Sequence, residues 1–300
     1  MIVPLSLGFS GDFDVLRKLL YRRYSTNWFS SFARIPAALF SAEVRVRNTI
    51  HLGRKGGAVS CCFSTVLHRW FEEARPCLFP NLSYAPFDPH PWKDLVPKSN
   101  SARLTTRLQC LLKESKGTID TTLASRPSDF ALHFKQTAYN WLCFCRELPP
   151  VYDASGTVVP QTMFGTVYFA DRECRDLVFL FCNGKIMFSY WCLLGDDFHL
   201  TRWMFAGFPL DLGSIPQELK NGLLGLVEPL EALMLENTSF KLNAGKRIGN
   251  YNLAKCRSIT DQSDRLFARH LGLSDVRQDV ELLYAQIVKT NFDEDAEAEG

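Results

Sequence analysis

The densest run of side chains able to touch a polyanion lies in residues 241–257. It holds Lys241, Lys246, Arg247, Lys255 and Arg257 among Asn243, Asn250, Tyr251 and Asn252, with Gly245 and Gly249 between them. Lysine and arginine neutralise phosphates, asparagine can pair bidentately with adenine, and glycine lets a backbone approach closely. A solvated basic loop has the same composition. Three more cations stand apart. Arg45 and Arg47 fall on one face of an alternating stretch whose other face carries Val44 and Val46, so they line a cleft or lie on a solvated strand face. Arg69, beside Trp70, either stacks or meets a phosphate oxygen, or pairs internally with Glu72 or Glu73.

Several chemistries lack their residues. No Gly-x-Gly-type loop follows a strand, and there is no phosphate loop ending in Gly-Lys-Ser/Thr, no His-Glu-x-x-His and no Gly-x-Ser-x-Gly. His51, His68, His90, His133, His199 and His270 are dispersed. The ten cysteines contain no Cys-x-x-Cys and read as reduced, buried hydrophobes rather than a metal site. No catalytic, cofactor-binding or metal-binding residue is assigned within this chain.

The elements that must position these groups follow from pattern. With 46% hydrophobic, 22% charged and 13% aromatic residues, the 300-residue chain has the composition of a globular protein. Its net charge of +2 conceals an acidic end: residues 293–300 hold five carboxylates, leaving 34 basic against 27 acidic residues, or +7, over residues 1–292. The end reads as a disordered acidic tail and the basic body suits a polyanionic partner. No apolar run is long enough for a membrane span and no basic stretch precedes residues 1–5 as in a signal peptide, so a cytoplasmic location is expected.

Residues 2–7 read as a buried strand that opens the chain in mid-fold. A helix follows, with Phe13, Leu16, Leu20 and Tyr24 at helical spacing, Asp12 and Asp14 in its first turn and Arg22 and Arg23 in its last. Residues 27–32 and 44–52 read as strands. Lys55-Gly56-Gly57 is a turn, after which aromatic and Pro-rich segments place a domain boundary near residue 57. Beyond it the pattern predicts helices over 102–114, 171–194, 215–235, 261–271 and 275–290, and strands over 164–169 and 197–205.

The order of several phrases resembles adenine-N6 DNA methyltransferases of restriction-modification systems, of the type IIG kind. Ile2-Val3-Pro4-Leu5-Ser6-Leu7 and the helix with Leu16-Arg17-Lys18-Leu19-Leu20 are similar to the strand and helix after that family's catalytic Asn-Pro-Pro-Tyr loop. Residues 28–40, from Trp28-Phe29 through Arg34-Ile35-Pro36 to Leu39-Phe40, look like its Ser-Phe-x-x-Arg-Pro-x-x-Leu-Phe phrase. Residues 44–53 resemble its sheet-closing strand. Residues 67–80, 196–201, 249–257 and Thr260-Asp261-x-x-Asp264 are similar to its target-recognition region.

The resemblance implies an α/β protein. Residues 1–57 would be the C-terminal portion of the catalytic domain, a partial Rossmann-like sheet with an unpaired apolar edge, and residues 58–292 an α+β target-recognition region that binds double-stranded DNA. The methyl-donor and Asn-Pro-Pro-Tyr motifs are absent, so S-adenosylmethionine belongs to the complete enzyme, and a missing N-terminal half or a partner chain would supply the reacting pocket. Extruding an adenine requires flat or apolar walls; Phe40 is the candidate, with Phe32 a second and core packing the alternative for both. Two rival readings are a non-catalytic specificity protein that docks a separate catalytic subunit and a degenerate gene fragment.

Overall fold

The computed structural model describes residues 1–40, 46–56 and 60–288. Arg45 and the acidic residues 293–300 lie outside them. The first elements are β1 (Ile2–Pro4), α1 (Asp14–Arg23), β2 (Thr26–Phe32), β3 (Asn48–Arg54), β4 (Cys61–His68), β5 (Ala85–Phe87) and α2 (Ala102–Glu114). Next come β6 (Ala131–Lys135), β7 (Phe144–Cys145), β8 (Val151–Tyr152), β9 (Val158–Val159), β10 (Phe164–Tyr168), α3 (Arg172–Cys182), α4 (Lys185–Leu194) and α5 (Arg202–Ala206). The chain continues through α6 (Gln217–Leu224), α7 (Val227–Glu236), β11 (Thr238–Asn243), β12 (Lys246–Tyr251), α8 (Arg257–His270) and α9 (Arg277–Ile287).

The fold is mixed α/β and forms two compact units. Unit 1 takes residues 1–114, 189–197 and the described residues from Asp275 onward; unit 2 takes residues 115–188 and 198–274. Unit 1 is built on a five-stranded sheet in the order β1-β3-β2-β4-β5. β3 is antiparallel to both β1 and β2, so those two strands run the same way, joined through α1 with β3 inserted between them. β4 extends the sheet parallel to β2, and β5 closes it antiparallel to β4. Strands that run the same way cannot be joined by a tight hairpin, and α1 supplies the crossover between β1 and β2.

α1 forms where the apolar spacing placed it, with Asp14 in its first turn and Arg22 and Arg23 in its last. Its buried Arg17 donates to the carbonyls of Leu7, Ser10 and Asp94, satisfying three backbone acceptors that the sheet does not use. β2 is central and covered on both faces, with Phe29 and Phe32 fully buried. Inside it, His51 Nε2 and Asn27 Oδ1 sit 2.9 Å apart, and burial holds the imidazole down to about 4.

The expected boundary at residue 57 does not separate the units. β3 ends at Arg54, the backbone turns through Gly56 at φ +105, and β4 enters the same sheet beside β2. Glycine marks a turn, but nothing in it says whether the next strand stays in the sheet.

Unit 2 has two antiparallel sheets, β10-β6-β7 and β11-β12-β8-β9. The apolar helix α3 is buried from Asp176 to Cys182 and packs against α6, α7 and α8. Phe181 anchors that core, its ring 4.7 Å from Phe208 and 5.0 Å from Phe267. Residues 171–194 are helical as expected, as two helices that meet at a 69° bend. Residues 215–235 are helical too, divided at Gly225 and Leu226. Residues 197–205 are not a strand. Asp197 takes φ +70, His199 makes a single bridge to Thr137, and α5 begins at Arg202. Among the described residues no single helix is long and apolar enough to cross a membrane.

Candidate nucleic-acid interface

The basic run of residues 241–257 is a β-hairpin followed by a helix start, not a loop. Thr238–Asn243 and Lys246–Tyr251 pair antiparallel, with Leu242 opposite Arg247 and Asn243 opposite Lys246. The two-residue connection, Ala244 at φ 49 and Gly245 at φ 74, has the positive angles of a type I′ turn, whose twist matches that of the strands it joins. Gly245 therefore serves the turn. Gly249 serves packing within the unit: a Cβ there would lie 2.7 Å from the Pro150 carbonyl oxygen, which accepts the Gly249 N–H.

Alternation along the strands divides the candidate residues between two faces. Lys241, Asn243, Lys246 and Asn250 share one. Phe240, Leu242, Arg247 and Tyr251 share the other, where the Arg247 guanidinium lies 5.1 Å from the Phe240 ring and 5.9 Å from that of Tyr152. From Leu242 to Arg247 every residue is exposed. The fourteen residues from Thr238 to Tyr251 carry three cations and no carboxylate, so the hairpin tip is a local positive pole inside a nearly neutral chain.

The other candidates of this run have internal duties. Asn250 Oδ1 accepts from Lys135 Nζ at 2.6 Å and its amide nitrogen donates to the Ile248 carbonyl. Tyr251 is buried and its hydroxyl donates to the Glu147 carbonyl. Asn252 caps a short helical turn by accepting from the Ala254 N–H. Arg257 opens α8. Asp264, part of the last family-like phrase, is buried on α8 and accepts from the backbone N–H groups of Lys185 and Ile186 at the start of α4. Its burial pushes the carboxyl up to about 7 despite those two donors.

In unit 1, Arg47 and Arg69 come together, but on a carboxylate of the chain. Arg69 is 2% exposed; its Nε and Nη2 donate to Asp197 Oδ1 at 3.0 and 2.6 Å, and its Nη1 donates to the Ile287 carbonyl. Arg69 therefore cannot serve a phosphate, and its internal partner is Asp197 rather than Glu72 or Glu73. Glu72 pairs with Arg75, whose guanidinium lies 4.8 Å from the Trp70 ring. Arg47 lies 3.9 Å from Asp197 and 4.0 Å from Asp196, with little of its side chain exposed. Burial raises the Asp197 carboxyl above the ordinary value while Arg69, Arg47 and Lys98 pull it down. Lys98 is itself buried, donates to the Leu193 carbonyl, and is held down to about 8 by loss of solvent.

Phe32 is fully buried in a cluster with Ala37, Leu39, Trp70 and Leu78, so it is a core residue and not a pocket wall. Phe40 is 40% exposed. A cavity of about 250 Å³ opens beside that cluster, lined by Leu67, Trp70, Leu78, Asn81 and Asn100 among others, and Phe40 does not line it.

The sequence matches no protein-family model and no curated protein.

Proposed function

We propose that this chain grips duplex DNA through the β11–β12 hairpin and serves as the target-recognition part of an adenine-N6 DNA methyltransferase of a restriction-modification system. The observation that carries the reading is the exposed type I′ hairpin with three cations and no carboxylate. A two-stranded ribbon is narrow enough to enter a groove of the duplex, and lysine and arginine along it gain affinity by releasing counterions. Lys241 and Lys246 address phosphates from one face and Arg247 from the other, while Asn243 is the exposed amide nearest the tip. S-adenosylmethionine and the reacting pocket come from another polypeptide segment.

The sheet of unit 1 supports the second half of the reading. β1 and β2 run in the same direction on either side of the antiparallel β3 and are joined through α1, and β1 is an outermost strand. Ile2 on that strand is 53% exposed, and Met1 just before it is 48% exposed. An apolar outer edge is where a further strand of a methyltransferase-like sheet would add.

Fluorescence anisotropy of a labelled duplex, titrated at several salt concentrations, tests the assignment. Lys246→Ala and Arg247→Ala are each expected to weaken binding and to make the log K against log salt slope shallower by about 1. The same duplex incubated with labelled S-adenosylmethionine is expected to stay unmethylated by this chain alone. Wild-type slopes in both variants would remove the hairpin from the interface, and methyl transfer would refute an external donor site.

A further inference from the structure

The tip of the hairpin carries an apolar side chain that its charge does not explain. Leu242 is 77% exposed, the most exposed large hydrophobic residue among the described residues, and lies directly across from Arg247. Phe240 is 40% exposed two residues earlier on the same face, about 7 Å along the strand. Its ring is held in place from two sides: Tyr152 of β8 lies 5.8 Å away and the Arg247 guanidinium 5.1 Å away. The residues at the turn, Ala244 and Gly245, are small. An aliphatic side chain with no internal packing duty therefore leads an apolar face that also carries Arg247, with Lys241 and Lys246 on the opposite face of the same ribbon.

We infer that Leu242, backed by Phe240, is a wedge that enters between two base pairs of duplex DNA from the minor groove, unstacks that step and bends the duplex. The inference rests on the reading of the hairpin as the DNA-contacting element and adds what the hairpin does to its substrate. Leucine and phenylalanine are among the residues that part base steps in this way, and such wedges kink the duplex away from the groove they enter. The cations supply the complementary charge: seated on phosphates on either side of the opened step, they hold the tip against the recoil of the stack. The small turn residues let the tip enter without a side chain blocking it. Because unstacking is easiest at pyrimidine–purine steps, the wedge favours a TA or CA step without reading its base edges.

The test uses the full-length chain and duplexes that carry 2-aminopurine at a central TA step, with a fluorophore pair at the two ends, beside the anisotropy titration. Wild-type protein is expected to raise 2-aminopurine emission and to bring the ends closer. Leu242→Ala is expected to bind with an unchanged salt slope while both signals fall to those of free duplex, and Leu242→Phe is expected to retain them. Leu242 is exposed, so none of these changes threatens folding. If wild-type protein fails to bind duplex at all, the reading of the hairpin falls and the wedge with it. If it binds but neither signal moves, or if Leu242→Ala moves both as wild type does, the wedge alone is overturned.

Discussion

Asp264 is an acid whose surroundings oppose its charge. Enclosed by protein, its carboxyl is pushed up to about 7, although two backbone N–H groups at the start of α4 favour the charged form. An unfolded aspartate titrates near 3.8, so between that value and about 7 the folded protein binds the extra proton. Stability from this group is therefore fully present at the acid end and is lost as pH rises through 7. Denaturant titrations of wild type and Asp264→Asn across this range should show wild type losing stability relative to the variant, with the difference levelling off above pH 7. A constant difference would mean that the carboxyl titrates normally. Residue type alone concealed this role, as it did elsewhere. Arg69, Asn250 and Tyr251 had the chemistry of DNA contacts, and only their burial and partners show that the donors go to Asp197, Ile248 and Glu147. Lys246 and Arg247, by contrast, stay exposed in a segment without an acid.

Among the elements, the hairpin shows where sequence patterns speak and where they do not. Alternation in Phe240-Lys241-Leu242-Asn243 and in Lys246-Arg247-Ile248 was legible, but the turn between them is Ala-Gly, not the Asn-Gly or Asp-Gly that marks a type I′ connection. The segment therefore read as a loop. Ala244 sits at φ 49, where a non-glycine residue costs roughly 1–2 kcal/mol. Ala244→Asn, which tolerates that region better, is expected to stabilise the hairpin by about 0.5–1 kcal/mol, seen as slower hydrogen exchange of the Lys246 and Ile248 amides. Faster exchange would place the turn in another geometry. Helices were more readable, because 3.6-residue spacing over ten or more residues is hard to imitate: α1, α2, α8 and α9 all lie where their apolar stripes put them. Residues 197–205 misled because apolar residues next to a charged pair imitate a strand, and a left-handed Asp197 cannot be seen in composition.

At the scale of the molecule, β1 is an outermost strand whose Ile2, like the adjoining Met1, is exposed, a surface that invites pairing with another chain. Ile2→Lys is expected to leave the melting temperature nearly unchanged while reducing concentration-dependent self-association in sedimentation velocity; equal association by both forms would show that this edge is not the contact. The division into units was the least legible feature, since a boundary near residue 57 rested on composition and the compact bodies instead exchange the chain at residues 114, 188, 197 and 274.

That threading sets the order of assembly. The β4 cation Arg69 waits for Asp197 and for the Ile287 carbonyl, 128 and 218 residues further along. A ribosome making this protein N-terminus first holds an unfinished first unit until residue 287 has emerged, because closing loops of that length precedes any reward from the contacts they permit. During that interval the nascent chain presents its central strands to whatever chaperone is at hand, and maturation becomes slow by topology alone.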